Sequence, residues 1–254
     1  MDGLMKSRNY PKISVITASY NRINTINSSI ESLKEQSYSN IEQVFVDGGS
    51  VDGTVDLIKQ VLTDHDKFIT EPDNGIYDAL NKGIEMSTGE VVGLLHSDDF
   101  FADQNVLADI AELFLDEEVD LVYGDLSYVS GDSCRVVRRW ESGAFDKKRL
   151  KYGWMPPHPT VFIRKSVFEK IGVYDASYRI AADYDFLLRC LQADLVIRYI
   201  PRNLVNMRVG GASNANLANL IKKSKEDLKS IRRNRVGGWL TLLYKNLSKI
   251  IQFL

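Results

Sequence analysis

Cysteine is scarce in this chain, and so are long apolar runs and net charge. Cys134 and Cys190 have neither the spacing of a zinc site nor that of a CxxC redox pair, and they read as reduced thiols in a reducing cytoplasm. No stretch approaches the ~18–20 apolar residues that a spanning helix needs. Met1 to Lys12 is polar and carries no apolar signal-peptide core. Two glycine signatures of nucleotide-binding loops are missing as well: there is no G-x-G-x-x-G and no phosphate loop ending in Gly-Lys-Ser/Thr. What remains is 254 residues, 44% hydrophobic and 26% charged, an ordinary globular composition. Collagen-like, disordered and disulfide-scaffold classes are excluded.

The net charge of −2 conceals an asymmetry. From Asn219 to Leu254, nine basic residues meet only two acidic ones, Glu226 and Asp227, so this segment carries +7 and the rest −9. Within it Leu240, Tyr244, Leu247, Ile251 and Leu254 recur at helical spacing, flanked by Lys245 and Lys249. Such a helix either packs on the body or lies in a membrane interface. In the second case Trp239, Tyr244 and Phe253 sit at the headgroup boundary and basic side chains meet anionic lipid. The charge upstream favours the membrane surface.

Short apolar runs alternate with amphipathic segments through the first half. Strands are expected at Ile13–Thr17, Val44–Val46, Lys67–Thr70, Val91–Leu95 and Leu121–Tyr123. Helices are expected through Ile26, Ile30 and Leu33, and at Thr54–Leu62, Ile76–Met86 and Asn105–Leu115. That alternation implies right-handed crossovers and a central, mostly parallel sheet with helices on both faces. An α/β unit over residues 11–125 follows. The second half is less regular. It reads as a hairpin of Leu126–Val129 and Arg135–Trp140 around Ser130-Gly131-Asp132, strands at Thr160–Ile163 and Val196–Ile200, and helices at Ser166–Ile171 and Tyr184–Leu191. No linker separates the halves, so residues 1–215 read as one α/β domain and 216–254 as a basic amphipathic helical tail.

In an open parallel sheet, ligands bind beyond the carboxyl ends of the strands. Four polar loops fall there: Thr17–Arg22, Asp47–Thr54, Glu71–Asp78 and His96–Asp99. Each alone has the composition of a turn or a helix cap. Four on one edge point to a ligand. An Asp at the end of a strand can accept hydrogen bonds from a base or a ribose. Asp98 and Asp99 repel one another beside a buried strand unless a cation neutralises them. Hard carboxylates without clustered His or Cys favour Mn²⁺ or Mg²⁺ over zinc.

The order Ile13-Ser-Val-Ile-Thr-Ala-Ser-Tyr-Asn21, Asp47-Gly-Gly-Ser-Val-Asp-Gly-Thr54 and Ser97-Asp98-Asp99 resembles the family 2 glycosyltransferases. The likeness extends through Glu71-Pro-Asp-Asn-Gly-Ile-Tyr-Asp-Ala-Leu-Asn-Lys-Gly83, Ile180-Ala-Ala-Asp-Tyr-Asp185 and Gly210-Gly-Ala-Ser213. It is greatest to the branch that builds bacterial O-antigen, colanic acid and exopolysaccharide repeat units. The resemblance implies the nucleotide-diphosphosugar transferase (GT-A) fold, an inverting mechanism and a Mn²⁺ or Mg²⁺ ion. Thr17, Ser19 and Tyr20 would then line the nucleobase pocket, with Asp47 at the uracil. Asn81 and Lys82 would join the nucleotide-sugar site. Many relatives carry a second Asp where this chain has Gly48. Asp98 would lie near the ribose and Asp99 on the metal; His96 reads as a packed histidine or as an extra ligand. Asp183 falls where the family places its catalytic base. Its rival role is the N-cap of the helix beginning at Tyr184, with Asp185 a partner of that helix's dipole. His158 and Trp154 would face the sugar or the acceptor, and Arg208 with the Gly210-Gly211 loop would close over the diphosphate.

An inverting transfer is one displacement at the anomeric carbon, so a single carboxylate must take the acceptor's proton. The implied donor is a UDP-sugar and the implied acceptor a polyprenyl-diphosphate-linked saccharide. That places the protein in the cytoplasm, peripheral on the inner face of the cytoplasmic membrane, with no nucleic-acid partner. A sugar nucleotidyltransferase is the rival enzyme, but its Gly-rich loop after the first strand is absent from Thr17–Arg22. An inactive scaffold homologue is the rival from another class, and it need not keep Asp98, Asp99 and Asp183 together.

Overall fold

The computed structural model describes residues 9–131, 135–209 and 217–251. Cys134, Asp132, the Gly210–Ser213 segment, Phe253, Leu254 and the side chains of Lys249 and Ile251 lie outside what it describes.

Strands β1 (Ile13–Ser19), β2 (Ile41–Asp47), β3 (Lys67–Thr70) and β4 (Val91–Leu94) alternate with helices α1 (Ile26–Lys34), α2 (Thr54–Val61) and α3 (Ile76–Met86). Strand β5 (Phe100–Phe101), helix α4 (Val106–Leu113) and strands β6 (Val119–Val129) and β7 (Val136–Trp140) follow. Two 3-10 turns, at Lys147–Tyr152 and His158–Thr160, lead to β8 (Phe162–Arg164), α5 (Lys165–Ile171), α6 (Ala182–Gln192) and β9 (Val196–Arg208). The chain continues with α7 (Leu217–Arg233) and α8 (Trp239–Ile251).

One sheet holds all nine described strands in the order β3-β2-β1-β4-β8-β6-β9-β5, with β7 beside β6. Six of them (β1, β2, β3, β4, β6 and β9) run the same way, and β5, β7 and β8 run against them. The mostly parallel α/β sheet with helices on both faces is therefore what the chain forms. Alternation along the central strands divides the core. Ile16, Ala18, Val44 and Val46 face one layer, shared with α3, α5 and α6. Ile13 and Val15 face the other, shared with α4, while Phe45 packs with Ile26, Ile30 and Ile58. α3 can lie close on β1 because a Cβ at Gly83 would stand 2.4 Å from the Ile16 Cγ2.

Glu42 is a charged residue inside this sheet. It accepts hydrogen bonds from Ser14 Oγ (2.5 Å), Thr88 N (2.7 Å) and Thr88 Oγ1 (2.6 Å), and pairs with Lys12 Nζ at 3.1 Å. Burial alone would raise its carboxyl, but these donors hold it down at about 2.

Three elements differ from the sequence expectation. Leu121–Tyr123 and Leu126–Val129, expected as separate strands, are one strand, β6, because Tyr123 and Asp125 both pair with β9. β9 runs on from Ile200 to Arg208, although Pro201-Arg202-Asn203 interrupts its apolar pattern. Register shifts in its pairing with β6 absorb that interruption. The two-residue β5 is too short to have a period, and exists because Phe100 and Phe101 pair with Asn206 and Val205.

The tail packs by one face only. Thr241, Leu242 and Lys245 of α8 are buried, whereas Trp239, Leu240, Leu243, Tyr244 and Leu247 are exposed, Leu240 by 71%. Lys245 does not flank the stripe towards lipid as its position in the sequence suggests. Its ammonium pairs with Asp227 of α7 at 2.6 Å, both side chains 3% exposed, and lies 3.2 Å from the Tyr184 ring centroid. Burial pulls this lysine down to about 8, against the pull of Asp227. Removing one partner of such a pair leaves a bare buried charge, at a cost of about 3–5 kcal/mol.

Candidate active site

The loops after β1 and β2 lock together. Asp47, fully buried at the end of β2, accepts from Ser19 Oγ (3.0 Å), Gly49 N (3.0 Å), Ser50 N (2.8 Å), Ser50 Oγ (2.5 Å) and Thr70 Oγ1 (2.8 Å). Burial would raise its carboxyl, but those donors lower it below the ordinary range. Asp52 receives Ile23 N at 3.1 Å and both the N–H and hydroxyl of Thr54, at 3.0 and 2.6 Å. Asn21, at φ +52°, takes Val51 N on its Oδ1 at 3.0 Å and donates its own N–H to Ser50 Oγ at 2.8 Å. Gly49 and Gly53 hold φ of +83° and +98°, where a side chain would be strained. Most polar groups of this motif are thus joined to one another. The structure buries Thr17 and Ser19 and leaves the Tyr20 ring 62% exposed at the edge.

The loop after β3 and helix α3 form the next wall. Tyr77, Asn81 and Lys82 project from α3. Asn81 exchanges two hydrogen bonds with the backbone of Tyr174, Nδ2 to its carbonyl (2.9 Å) and Oδ1 from its N–H (3.0 Å). Lys82 lies among Glu71 (2.7 Å), Asp73 (2.7 Å) and Asp78 (3.7 Å), and its ammonium is raised above the usual lysine range by Asp73 and Glu71. The two residues assigned from the motif to the nucleotide sugar are therefore held on protein partners.

The loop after β4 carries the acidic pair. Asp99 is 1% exposed; its Oδ1 accepts Arg208 N at 3.2 Å, and its Oδ2 has no hydrogen-bond partner. Burial, then Asp98, pushes its carboxyl well above the usual range. The Arg208 guanidinium donates to the Asp98 carbonyl at 2.7 Å and covers the Phe100 ring. A buried carboxylate with an orphaned oxygen fits one hard-oxygen ligand of a divalent ion. Among the described residues no group of three or more His, Cys, Asp or Glu is arranged as a complete metal site. Other ligands would come from the substrate and water.

Asp183 lies in the first turn of α6 and is not its N-cap, since the helix begins at Ala182 and its cap is Ala181. Its Oδ1 accepts the Tyr77 hydroxyl at 3.2 Å, and that hydroxyl also lies 2.7 Å from the Ile180 carbonyl. Asp185 has a different task. It is fully buried, paired with Arg189 Nε at 3.0 Å and bonded to Asn234 Nδ2 at 3.2 Å. The start of α6 is capped from the tail: Glu226 of α7 accepts the N–H groups of Arg179 (3.1 Å), Ile180 (2.8 Å) and Ala181 (3.0 Å). Glu226 thus docks the basic tail on α6, and Asp227 ties the tail's two helices together through Lys245.

His96 feels acids from both carboxylate sites. Burial lowers its basicity, while Asp98 and then Asp183 act to raise it. It is only partly buried, with its ring 6.2 Å from that of His158. His158 is buried, shares a 2.8 Å hydrogen bond with the Tyr174 hydroxyl, and is pushed down to about 4 by burial, so it is neutral at pH 7. Trp154 donates its indole N–H to the Ser142 carbonyl at 3.1 Å and packs against Tyr123 and Phe145, with Arg149 over its ring. Tyr77, Tyr174 and Glu226 were not singled out from sequence. The spacing of Tyr77 and Asn81, one helical turn apart, was a usable signal for the first.

Similarity to known proteins accords with this arrangement. A profile of Glycosyl transferase family 2 matches residues 14–181. A Mycobacterium tuberculosis "PGL/p-HBAD biosynthesis glycosyltransferase" is 34% identical over 195 residues, covering 75% of this chain and 74% of its own. A glycosyltransferase of uncharacterized role from Nostoc is 31% identical over 215 residues, 80% of this chain and 66% of its own. Among solved structures, Staphylococcus aureus TarS residues 1–349 with UDP-GlcNAc superposes with TM-score 0.68 at 19% identity, over 89% of this chain and 66% of that one. The Pyrobaculum calidifontis mannosyltransferase with GDP-Man and Mn²⁺ gives 0.68 at 18%, over 94% and 71%. The shared fold, with loops gathered at one sheet edge and carboxylates from both halves of the chain, accompanies a matched profile over most of that sheet: the chain belongs to glycosyltransferase family 2.

Proposed function

We propose that the chain moves a hexose or N-acetylhexosamine from a UDP-sugar to a lipid-diphosphate-linked sugar, inverting the anomeric centre. An α-linked donor then yields a β-glycosidic bond. One observation carries this reading. Buried Asp99, with an orphaned oxygen, and partly exposed Asp183, held by Tyr77, are two carboxylates of opposite character, and Asp98 beside the first acts together with Asp183 on the His96 imidazole. Asp183 accepts the proton of the attacking hydroxyl. Tyr77 orients it, and Glu226 fixes the backbone from which it projects. Asp99, beside Asp98, holds the divalent ion, Mn²⁺ or Mg²⁺. That ion, when bound, neutralises charge on the departing diphosphate. Arg208 anchors the acidic loop through Asp98 and Asp99, and Tyr20 offers its ring to the base.

Residues 1–215 serve as the catalytic domain and 216–254 as an appended tail. The UDP-GlcNAc complex of TarS and the PGL/p-HBAD role in the mycobacterial relative's name support a nucleotide-sugar donor and a lipid-linked acceptor. A bacterial O-antigen or exopolysaccharide repeat unit is the product class we favour. The test is a donor panel: UDP-Glc, UDP-Gal, UDP-GlcNAc, UDP-GalNAc and non-UDP sugar nucleotides, each with GlcNAc-diphosphate-lipid and Mn²⁺. Transfer from a UDP-sugar that EDTA abolishes is the expected result. Transfer only from non-UDP donors, or no nucleotide binding at all, overturns the reading.

The tail holds the enzyme at the cytoplasmic membrane face. No helix among the described residues is long and apolar enough to cross a membrane. The exposed Trp239, Leu240, Leu243, Tyr244 and Leu247 form one face of α8, and Arg232 lies 5.7 Å from the Trp239 ring centroid. An apolar face rimmed by cations suits an anionic interface. Full-length protein is expected to sediment with anionic vesicles at low salt, and the Leu240→Ser/Leu243→Ser/Leu247→Ser variant to stay behind. Truncation at Trp239 is a poorer test, because it strips Lys245 from buried Asp227. Full-length protein that never sediments removes this part of the reading.

A further inference from the structure

The base end of the cleft departs from the pattern the motif suggests. Gly48 stands where many relatives carry a second Asp, so a carboxylate expected beside the nucleobase is absent from β2. The structure puts another one in the space. A Cβ built on Gly48 would stand 3.0 Å from Asp73 Oδ2 and 3.3 Å from Tyr20 Cδ2. Asp73 arrives from the loop after β3, a strand later in the sheet. The Gly48 N–H is bonded to the Ser19 carbonyl at 2.9 Å and the Glu71 N–H to the Asp47 carbonyl at 2.9 Å, so the ends of β1, β2 and β3 are tied together.

The carboxylate is held from behind. Asp73 Oδ1 pairs with Lys82 Nζ at 2.7 Å, and its side chain is 10% exposed. That leaves Oδ2 directed at the notch over Gly48, beside the exposed Tyr20 ring. An aromatic face and an ionised acceptor at a notch without a side chain form a base subsite. The ring stacks on the base, and the acceptor takes a ring N–H at its edge.

We propose that Asp73 is the residue that selects the nucleobase, accepting the N3–H of uracil in place of the side chain that Gly48 lacks. This rests on the nucleotide-sugar reading above and adds its specificity. Uracil presents a donor at N3, and cytosine presents an acceptor there. A carboxylate therefore attracts the first and repels the second, and a buried acceptor left without its donor penalises the wrong base.

The test is calorimetric binding of UDP and CDP, with divalent ion, to wild type and to Asp73→Asn. Asparagine keeps the size but can turn a donor towards cytosine N3. UDP affinity is expected to fall about ten- to a hundredfold, the range for a charge-assisted hydrogen bond, and the UDP:CDP preference to narrow at least as much. The exchange variant, Asp73→Gly with Gly48→Asp, should restore the preference from the other strand. If Asp73→Asn leaves the ratio unchanged in a protein that binds UDP, the assignment is wrong while the donor reading stands. If wild type binds no nucleoside diphosphate, the donor reading itself fails and takes this assignment with it. Should Asp73→Asn not fold, Asp73→Gly without the second substitution takes its place, with the same narrowing of the ratio expected and an unchanged ratio overturning the assignment.

Discussion

Asp183→Asn is expected to lower transfer by about 10²–10⁴-fold, the usual worth of a positioned general base, with UDP affinity unchanged. The amide keeps the size of the carboxylate and can still accept the Tyr77 hydroxyl, 3.2 Å away. It cannot take the acceptor's proton. A fall in kcat with the nucleotide Kd intact identifies the proton acceptor, and undiminished turnover removes Asp183 from that role. Tyr77→Phe separates chemistry from placement. The tyrosine's phenol is pushed up by burial and by Asp183, so it stays a donor to the carboxylate. Loss of that hydroxyl leaves the carboxylate in place and only loosens its orientation, so it should cost far less than Asp183→Asn. Asp185→Asn works on different grounds: that residue is a buried partner of Arg189, so it should show up in the melting temperature.

Asp99→Asn should have the second-largest effect, and it should move activity and stability in opposite directions. Transfer is expected to fall about 10³-fold, on the scale of losing one preorganised electrostatic contact to the transition state. The gain in UDP affinity on adding Mn²⁺ should vanish with it. In EDTA the same variant should melt higher than wild type at pH 7. The native carboxyl is raised well above its ordinary value by burial and by Asp98. For a raised carboxyl the native state holds the proton more tightly than the unfolded chain, so stability falls as pH climbs past the unfolded value. Asparagine removes that loss. A variant that melts lower in EDTA and keeps its Mn²⁺ response would show that Asp99 is a structural acid.

The first-half elements other than β5 were legible because each carries one repeating signal. α3 runs over Ile76–Met86 and β3 over Lys67–Thr70, as periodicity and apolar runs indicated. Strand alternation on β1 and β2 sets which side chains share a layer in the folded chain. Less was legible where partners lie far apart in the chain. The polar groups of the Asp47–Thr54 motif look like ligand contacts in a string of letters, yet most bond to each other or to Ile23 and Thr70. A loop motif persists for its turn as readily as for its ligand, and sequence does not separate the two.

The tail shows the same division. Its amphipathic period was readable, and so was its excess of positive charge. Which face turns outward was not, because that depended on a pair between two successive helices, Asp227 of α7 with Lys245 of α8. Likewise Glu226 was only an isolated acid until folding set it against the backbone of residues 179–181.

The sequence by itself determined the class of sheet, the edge on which polar loops collect, and the acidic pair Asp98 and Asp99 as candidates. These follow from local period, local composition and chain order, which need no partner, whereas Asp183 was a candidate only through the family resemblance. Only the tertiary structure decided what each carboxylate faces. Asp47 is surrounded by donors, Asp99 keeps a bare oxygen, Asp183 meets Tyr77 from 106 residues away, and Asp73 enters the notch over Gly48. Hydrogen bonding and desolvation act over a few ångströms of space regardless of separation along the chain, so the chemical character of those acids is a property of the fold.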